Sequence, residues 1–382
     1  MIIKLKNIGT IITGNTPSKK NAKYYDSNDI YFIKPDTLDD SKITVLNSSN
    51  EFISNNARDK ARIVGKNAIL ITCIGSIGKV GIVTEGEYAF NQQINAIMPN
   101  ELVIPKYLAY CLLFNKDKLI DIANAPVVPI INKSQFGEFE ININEDLTVQ
   151  QKIVNELNII QEIILKQRQE LEKMDDLIKA RFVEMFGDPK NNPLNFPIFM
   201  LKDTCKVITG NTPSRKIKDY YGDYIEWIKT DNIIPEKKYP TQANEYLSEK
   251  GIRFGRTVDK DSVLMACIAG SVSSIGKVCI TDRKLAFNQQ INAVVPKKYN
   301  VLFLYTIFQM SKDYLVEDIN MSLKGILSKS KLEEKKFILP PIELQQQFAD
   351  FVKQVDKSKL AVQQSLEKTQ QLFDSLMQEY FG

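Results

Sequence analysis

The chain of 382 residues contains no histidine. That absence excludes Ser-His-Asp and Cys-His nucleophilic catalysis, His-ligated metals and imidazole acid–base chemistry together. The five cysteines (Cys73, Cys111, Cys205, Cys267, Cys279) are odd in number and form no Cys-x-x-Cys, so neither a disulfide framework nor a zinc site is indicated. Cys73 and Cys267 sit in apolar, strand-like runs, where a buried thiol is the expected role. No apolar run is long enough to span a membrane, and Met1-Ile2-Ile3-Lys4-Leu5-Lys6 lacks the apolar core of a signal peptide. A cytoplasmic protein is expected.

Cofactor motifs are also missing. Ser76-Ile77-Gly78-Lys79-Val80 and Ser274-Ile275-Gly276-Lys277-Val278 resemble phosphate loops but fail the pattern. Cys73 and Ser271 stand where the first glycine is required, and valine follows each lysine. No glycine-rich dinucleotide fingerprint follows a strand. No Asn-Pro-Pro-aromatic tetrapeptide of the amino-methyltransferase kind occurs; Pro340-Pro341 lies in Leu-Pro-Pro-Ile. No spaced Asp…Glu-x-Lys set stands out as a nuclease centre among the 46 acidic residues. No catalytic residue, metal site or cofactor is therefore assigned.

What is present is a duplication. Ile12-Thr13-Gly14-Asn15-Thr16-Pro17-Ser18 returns as Ile208-Thr209-Gly210-Asn211-Thr212-Pro213-Ser214, and Ala89-Phe90-Asn91-Gln92-Gln93-Ile94-Asn95-Ala96 returns as Ala286-Phe287-Asn288-Gln289-Gln290-Ile291-Asn292-Ala293. Phe186-Gly187 returns as Phe381-Gly382. The spacing far exceeds the roughly 20–50 residue period of solenoids, so a whole module is repeated, and a module used twice points to a two-part target. Apolar content of 43% and charge of 25% are ordinary for a globular protein of two or more domains. The net charge of +4 is uneven: residues 188–344 carry 24 basic and 18 acidic side chains, whereas residues 1–147 carry 16 of each. This permits nucleic-acid binding without requiring it.

Each unit has a mixed α/β or α+β front part and a helical tail. In the first tail Ile153, Leu157, Ile160, Ile164, Gln167, Leu171, Met174, Ile178, Arg181 and Met185 alternate steps of four and three, a heptad seam. The second tail repeats it without a gap: Phe348, Val352, Val355, Lys359, Val362, Leu366, Thr369, Phe373, Leu376 and Tyr380. At ~1.5 Å per residue each tail is a rod of roughly 50 Å. The matched stripes are expected to bury each other as an antiparallel pair, because the joint at 188–197 is too short to return the chain for a parallel one. Packing of each helix on its own front domain is the alternative. Gln167, Arg181, Lys359 and Thr369 interrupt the seam and are candidates to fix its register.

The repeated polar residues are the candidate binding groups. Thr16, Ser18, Lys19 and Lys20, like Thr212, Ser214, Arg215 and Lys216, precede paired tyrosines (Tyr24-Tyr25, Tyr220-Tyr221), a mixture suited to a backbone-contacting loop. A solvated turn followed by core tyrosines is the bland reading. Ser76 with Lys79, and Ser274 with Lys277, lie on Gly-Lys turns that can offer backbone N–H groups and an ammonium to a phosphate, or can be plain hairpins. Asn91, Gln92 and Gln93, repeated as Asn288, Gln289 and Gln290, carry amides that can pair with adenine, but satisfying backbone at a strand end is the favoured reading. Lys34 and Asp36 match Lys229 and Asp231, a pair that could be structural. If the halves read different bases, identical residues cannot distinguish them. Discrimination should then lie where the copies diverge: 38–62 against 233–257, 98–130 against 296–325, and the loop Gly270-Ser271-Val272-Ser273.

In this ordered, duplicated set the chain resembles the DNA-specificity subunit of type I restriction-modification systems over nearly its whole length. The resemblance rests on Gly14-Asn15-Thr16-Pro17-Ser18 followed by Tyr24-Tyr25 and Ile33-Lys34, on Gly75-Ser76-Ile77-Gly78-Lys79, and on Asn91-Gln92-Gln93, each with its second copy. It implies two target-recognition domains (1–147 and 188–344) and two helical spacers (148–187 and 345–382), pseudo-two-fold related across a long antiparallel coiled coil. Each domain would read half of a bipartite site in double-stranded DNA. The helices would set the unread spacer and dock methyltransferase subunits, two of them, which bring S-adenosylmethionine; motor–nuclease subunits complete such systems. The chain itself would be non-catalytic. The lengthened loop at Gly270–Ser274 departs from the pattern and weakens the carry-over to Ser274 and Lys277. Two competing readings are a protein-interaction scaffold with two modules on a coiled coil, and a restriction-modification polypeptide with its catalysis in this chain.

Overall fold

The structure is a computed structural model that describes residues 1–123, 128–271, 274–317, 319 and 325–382. The predicted turn at Asn124-Ala125-Pro126 and the loop residues Val272 and Ser273 fall outside the described residues. The chain forms two compact units, residues 1–168 with 364–382, and residues 169–363.

In the first unit a five-stranded sheet runs Gly9–Thr13, Ile94–Pro99, Ile69–Thr72, Val80–Val83, Thr44–Leu46. A four-stranded sheet runs Phe52–Ile53, Ile30–Ile33, Tyr88–Phe90, Ile63–Val64. Their central strands are apolar on both faces: Ile69, Leu70 and Ile71 are all fully buried, the pattern of a strand covered on two sides. One cover is the helix Pro105–Phe114, whose proline occupies the first turn, where no N–H partner is needed. The second unit repeats this plan. Cys205–Thr209, Ile291–Pro296, Val263–Ala266 and Val278–Ile280 form one sheet; Tyr221–Gly222, Tyr246–Leu247, Ile225–Ile228, Leu285–Phe287 and Thr257–Val258 form the other.

The two tails are single helices, Leu147–Phe186 and Ile342–Phe381. Every predicted seam position is buried or half-buried, while most flanking positions are exposed. The helices pack antiparallel. In the first unit Tyr380 donates to Glu156 (2.5 Å) and Gln167 to Ser365 (2.8 Å). In the second, Lys359 pairs with Asp175 (2.5 Å) and Phe182 packs on Phe348. As one partner number rises the other falls. Of the four seam-breaking residues, Gln167 and Lys359 reach across to the other helix. Arg181 also reaches across, over the Phe351 ring of the other helix, while bonding Glu184 on its own. Thr369 instead bonds the Ser365 carbonyl one turn back, so it sets no register.

The ends of both helices also enter the domain cores. Phe373, Met377 and Phe381 join Tyr107, Tyr110 and Phe114 in the first unit, and Phe182 and Phe186 meet Phe303 and Phe348 in the second. Met377, Phe381, Phe182 and Phe186 lie off the heptad seam, beside it. The apolar stripe widens at the helix ends because a globular domain needs a broader face than a two-stranded seam. These ends enter the other copy's front domain rather than their own; it is the helix starts, such as Leu157 and Phe348, that lie in their own domain cores as well as in the helix–helix seam.

Candidate nucleic-acid interface

Sheet register gathers the repeated motifs at one edge of each unit. In the first, Thr13 lies opposite Asn95 and Thr72 opposite Ile94, so two strands end where a third begins. Ile33 lies beside Phe90 in parallel register, which brings the exit of Ile30–Ile33 to the same edge. Residues 14–18, 34, 73–79 and 91–93 are the segments just beyond these strand ends. The second unit does the same: Thr209 lies opposite Asn292, Ala266 opposite Ile291, and Ile228 beside Phe287.

The glycines of the first motif are forced by close approach. A Cβ on Gly14 would stand 2.2 Å from the Asn91 carbonyl oxygen, and one on Gly210 2.1 Å from that of Asn288. The next residue fastens the loop: Asn15 N–H donates to the Phe90 carbonyl (3.0 Å), and Asn211 N–H to that of Phe287 (3.1 Å). Thr16 donates to the Gln92 amide oxygen (2.7 Å), as Thr212 does to Gln289. Tyr25 and Tyr221 close the turn on the carbonyls of Pro17 (2.7 Å) and Pro213 (2.6 Å).

The amide triplets are mostly architectural. Asn91 accepts from the Gln93 N–H (3.1 Å) and donates to its side chain (2.8 Å); Asn288 and Gln290 repeat this at 3.0 and 3.1 Å. Asn91 and Asn288 are buried, whereas Gln92 and Gln289 are exposed. The Gly-Lys turn of the first unit is similarly committed. Gly78 N–H bonds the Thr72 carbonyl (3.0 Å), Lys79 N–H its hydroxyl (3.0 Å), and the Lys79 ammonium the Pro35 carbonyl (3.3 Å). These amide groups face inward, so the turn offers outward only the exposed Ser76 and the half-buried Lys79. Gly276 N–H likewise bonds the Ala266 carbonyl (2.9 Å); Ser274 and Lys277 are half-buried, and Ser271 donates to Ser274 (3.0 Å). Ser18, Lys19, Lys20, Ser214, Arg215 and Lys216 are all exposed.

The Lys–Asp pair is not formed. Lys34 bonds Glu51 and Lys229 bonds Glu245. Pro35–Thr37 and Thr230–Asn232 are 3-10 turns that carry Asp36 and Asp231 onward, while the neighbouring chain bonds Glu51 to Phe32 and Glu245 to Trp227, two residues before each lysine. Glu245 also forms an ion pair with Arg215 (2.6 Å), and the two cations, Arg215 first, hold its carboxyl below the usual range. The glutamates lie in a stretch assigned to divergence. The signal was there: Asn50-Glu51-Phe52-Ile53 returns as Asn244-Glu245-Tyr246-Leu247. Burial pushes the Cys73 and Cys267 thiols up to about 12, which makes them inert. Among the described residues there is no cluster of acids and cysteines able to hold a metal, and no helix long and apolar enough to cross a membrane. The hydroxyls, amides and cations at these edges are groups suited to recognition by hydrogen bonds and charge.

The sequence family described as "Type I restriction modification DNA specificity domain" matches residues 1–173 and again 193–371, and the chain belongs to that family. It is 24% identical over 401 residues to the "Type I restriction enzyme MjaIX specificity subunit" of Methanocaldococcus jannaschii, covering 98% of this chain and 90% of the relative. Two solved folds align over the full chain. The type I S subunit from M. genitalium does so with a TM-score of 0.59, 14% identity and 96% of its own length. A chain from a structural study of type I R-M complex assembly and conformational transition does so with 0.60, 14% and 97%. The duplicated α+β fold with packed long helices is that of these subunits, and DNA recognition is favoured over a protein scaffold.

Proposed function

We propose that this chain is the DNA-recognition subunit of a type I restriction-modification complex. The observation that carries the reading is the convergence of the repeated motifs at one strand-end edge in each unit, in a chain matched twice by the specificity family. Residues 1–147 and 188–344 are the target-recognition domains, each reading one half of a bipartite duplex site; 148–187 and 345–382 are the spacers. Within each edge, Lys19, Lys20, Lys79, Lys216 and Lys277 contact phosphates. Thr16, Ser18, Ser76, Gln92 and their partners Thr212, Ser214, Ser274 and Gln289 line the same surface. Asn91, Gln93, Asn288 and Gln290 hold the loops in shape, and Lys34 and Lys229 position them through their glutamates.

The chain is non-catalytic in this reading and acts in the cytoplasm. It docks modification subunits, two per chain, on its helices, and these carry the methylation chemistry; restriction subunits join in the full system. Methylome sequencing of a host with and without the gene tests the function: one bipartite motif should lose methylation on deletion, and an unchanged methylome would reject it. Inserting one heptad in each long helix tests the ruler. The half-sites should stay the same while the tolerated spacer changes.

A further inference from the structure

The two edges are built alike, but their cations are not equivalent. In the first unit Lys34 pairs with Glu51, and Lys19 is an exposed lysine on the turn after the Asn-Thr-Pro-Ser motif. At the matching positions the second unit has Lys229, Glu245 and Arg215, and Trp227 replaces Phe32. The exchanges act together. The Arg215 guanidinium lies 4.6 Å from the Tyr221 ring centre and 5.0 Å from that of Trp227, and forms an ion pair with Glu245 at 2.6 Å. Trp227 is buried (2% exposed) and is fixed by its own N–H bond to the Asn211 carbonyl (3.2 Å), inside the repeated motif. Lys229 shares the same carboxylate and lies 5.2 Å from the Trp227 ring.

An arginine held this way differs from a phosphate-seeking side chain. Two aromatic faces and one carboxylate fix its plane, so little rotamer freedom remains to be lost on binding. Yet its side chain is still 55% exposed, leaving donors of the guanidinium directed outward. Glu245 beside it also disfavours close approach of a phosphate, since like charges repel. A fixed planar fork next to an acid is suited to the O6 and N7 acceptors of guanine in a major groove. Lysine at position 19, on a flexible stem with no such setting, is suited to phosphate.

We propose that Arg215, positioned by Trp227, Tyr221 and Glu245, reads a guanine in the half-site of the second recognition domain, and that Lys19 at the matching place in the first makes a sequence-independent phosphate contact. This rests on the DNA-recognition reading above. The test selects sequences from a randomised duplex library with the full chain assembled with its modification subunits.

The wild type should enrich a bipartite consensus with a fixed G·C pair in one half. Arg215→Lys keeps the charge and the exposed turn. It should flatten preference at that single pair by about tenfold to a hundredfold, with the other half-site and the salt dependence unchanged. Trp227→Phe should weaken the same pair and no other. Lys19→Ala should instead lower affinity for all sequences alike and reduce the salt slope by about one. An Arg215→Lys consensus identical to the wild type, or a uniform loss across all sequences, would overturn the assignment. A wild-type complex that enriches no sequence would reject the DNA reading itself, and this inference with it.

Discussion

The two recognition domains share one set of loop-fastening bonds at the motif edge and part company around it. Gly14 and Gly210, Asn15 and Asn211, Thr16 and Thr212, Tyr25 and Tyr221 make these shared contacts in both, while the Asn15 amide oxygen accepts from the Arg62 N–H and the Asn211 carbonyl from Trp227. The adjoining segments differ further. In the first unit Thr44–Leu46 adds a parallel edge strand beside Val80–Val83, and Lys116 holds Asp40 (3.0 Å). In the second, Tyr221–Gly222 extends the other sheet instead, and Lys238 bonds Asp356 on the long helix. Duplication thus preserved a frame and left its border free to vary. A frame that must fix loop geometry tolerates few changes, whereas a border outside it is under no such constraint.

Substitutions can break or sharpen this comparison. The largest effects belong to the aromatic anchors. Phe381→Ala in the first unit and Phe182→Ala in the second should each cost about 3–5 kcal/mol, read as a lowered urea midpoint of the unit concerned. Loss of under 1 kcal/mol at either would break the symmetry of the cores. Next come Gly14→Ala and Gly210→Ala. Each forces a methyl group onto a backbone oxygen and should cost about 1–3 kcal/mol or more, equally in both units. Unequal costs would show that the frame is not shared. Lys238→Met and Lys116→Met follow, each removing one anchor of a divergent segment. The pair of Lys238 and Asp356 is the more buried, so its loss should approach ~1 kcal/mol and that of Lys116 fall below it. Equal midpoints would reject the ranking.

The smallest effect is one of pH. Hydrogen bonds from Lys4, then Lys6, hold the exposed Glu138 carboxyl down to about 2 from an ordinary 4.5. A depressed carboxyl adds stability above pH 4.5 that is lost as pH falls through about 2. Glu138→Gln should therefore remove a small acid-dependent step from the unfolding of the first unit. Identical acid profiles for wild type and variant would show that the step lies elsewhere.

The seam of the long helices was legible because a heptad is local: the step pattern of Ile153 to Met185 contains its own register. The duplication was legible by comparing the chain with itself. What stayed hidden is non-local. Strand order depends on which apolar run meets which, and residues such as Ile71 and Ile82, buried on both sheet faces, carry no alternation to reveal it. The bracing of the loop by Asn91 depends on the turn geometry at Gln93. Glu51 and Glu245 went unnoticed because their repeat is four residues long and sits among dissimilar neighbours. Phe182 and Phe381 fall one step outside the seam, where only the presence of a domain gives them a partner.

The wall formed by Tyr107, Tyr110 and Phe114 is covered by Phe373, Met377 and Phe381, made more than two hundred residues later. At ~5–20 residues per second, ribosomes leave that wall bare for roughly ten to fifty seconds. The segment already made carries Phe186 at the position matching Phe381, so a look-alike emerges before the intended occupant. Birth order therefore sets up a contest for the berth. Protease digestion of stalled nascent chains should find the early domain soft until the late helix has emerged; full resistance before then would remove the contest.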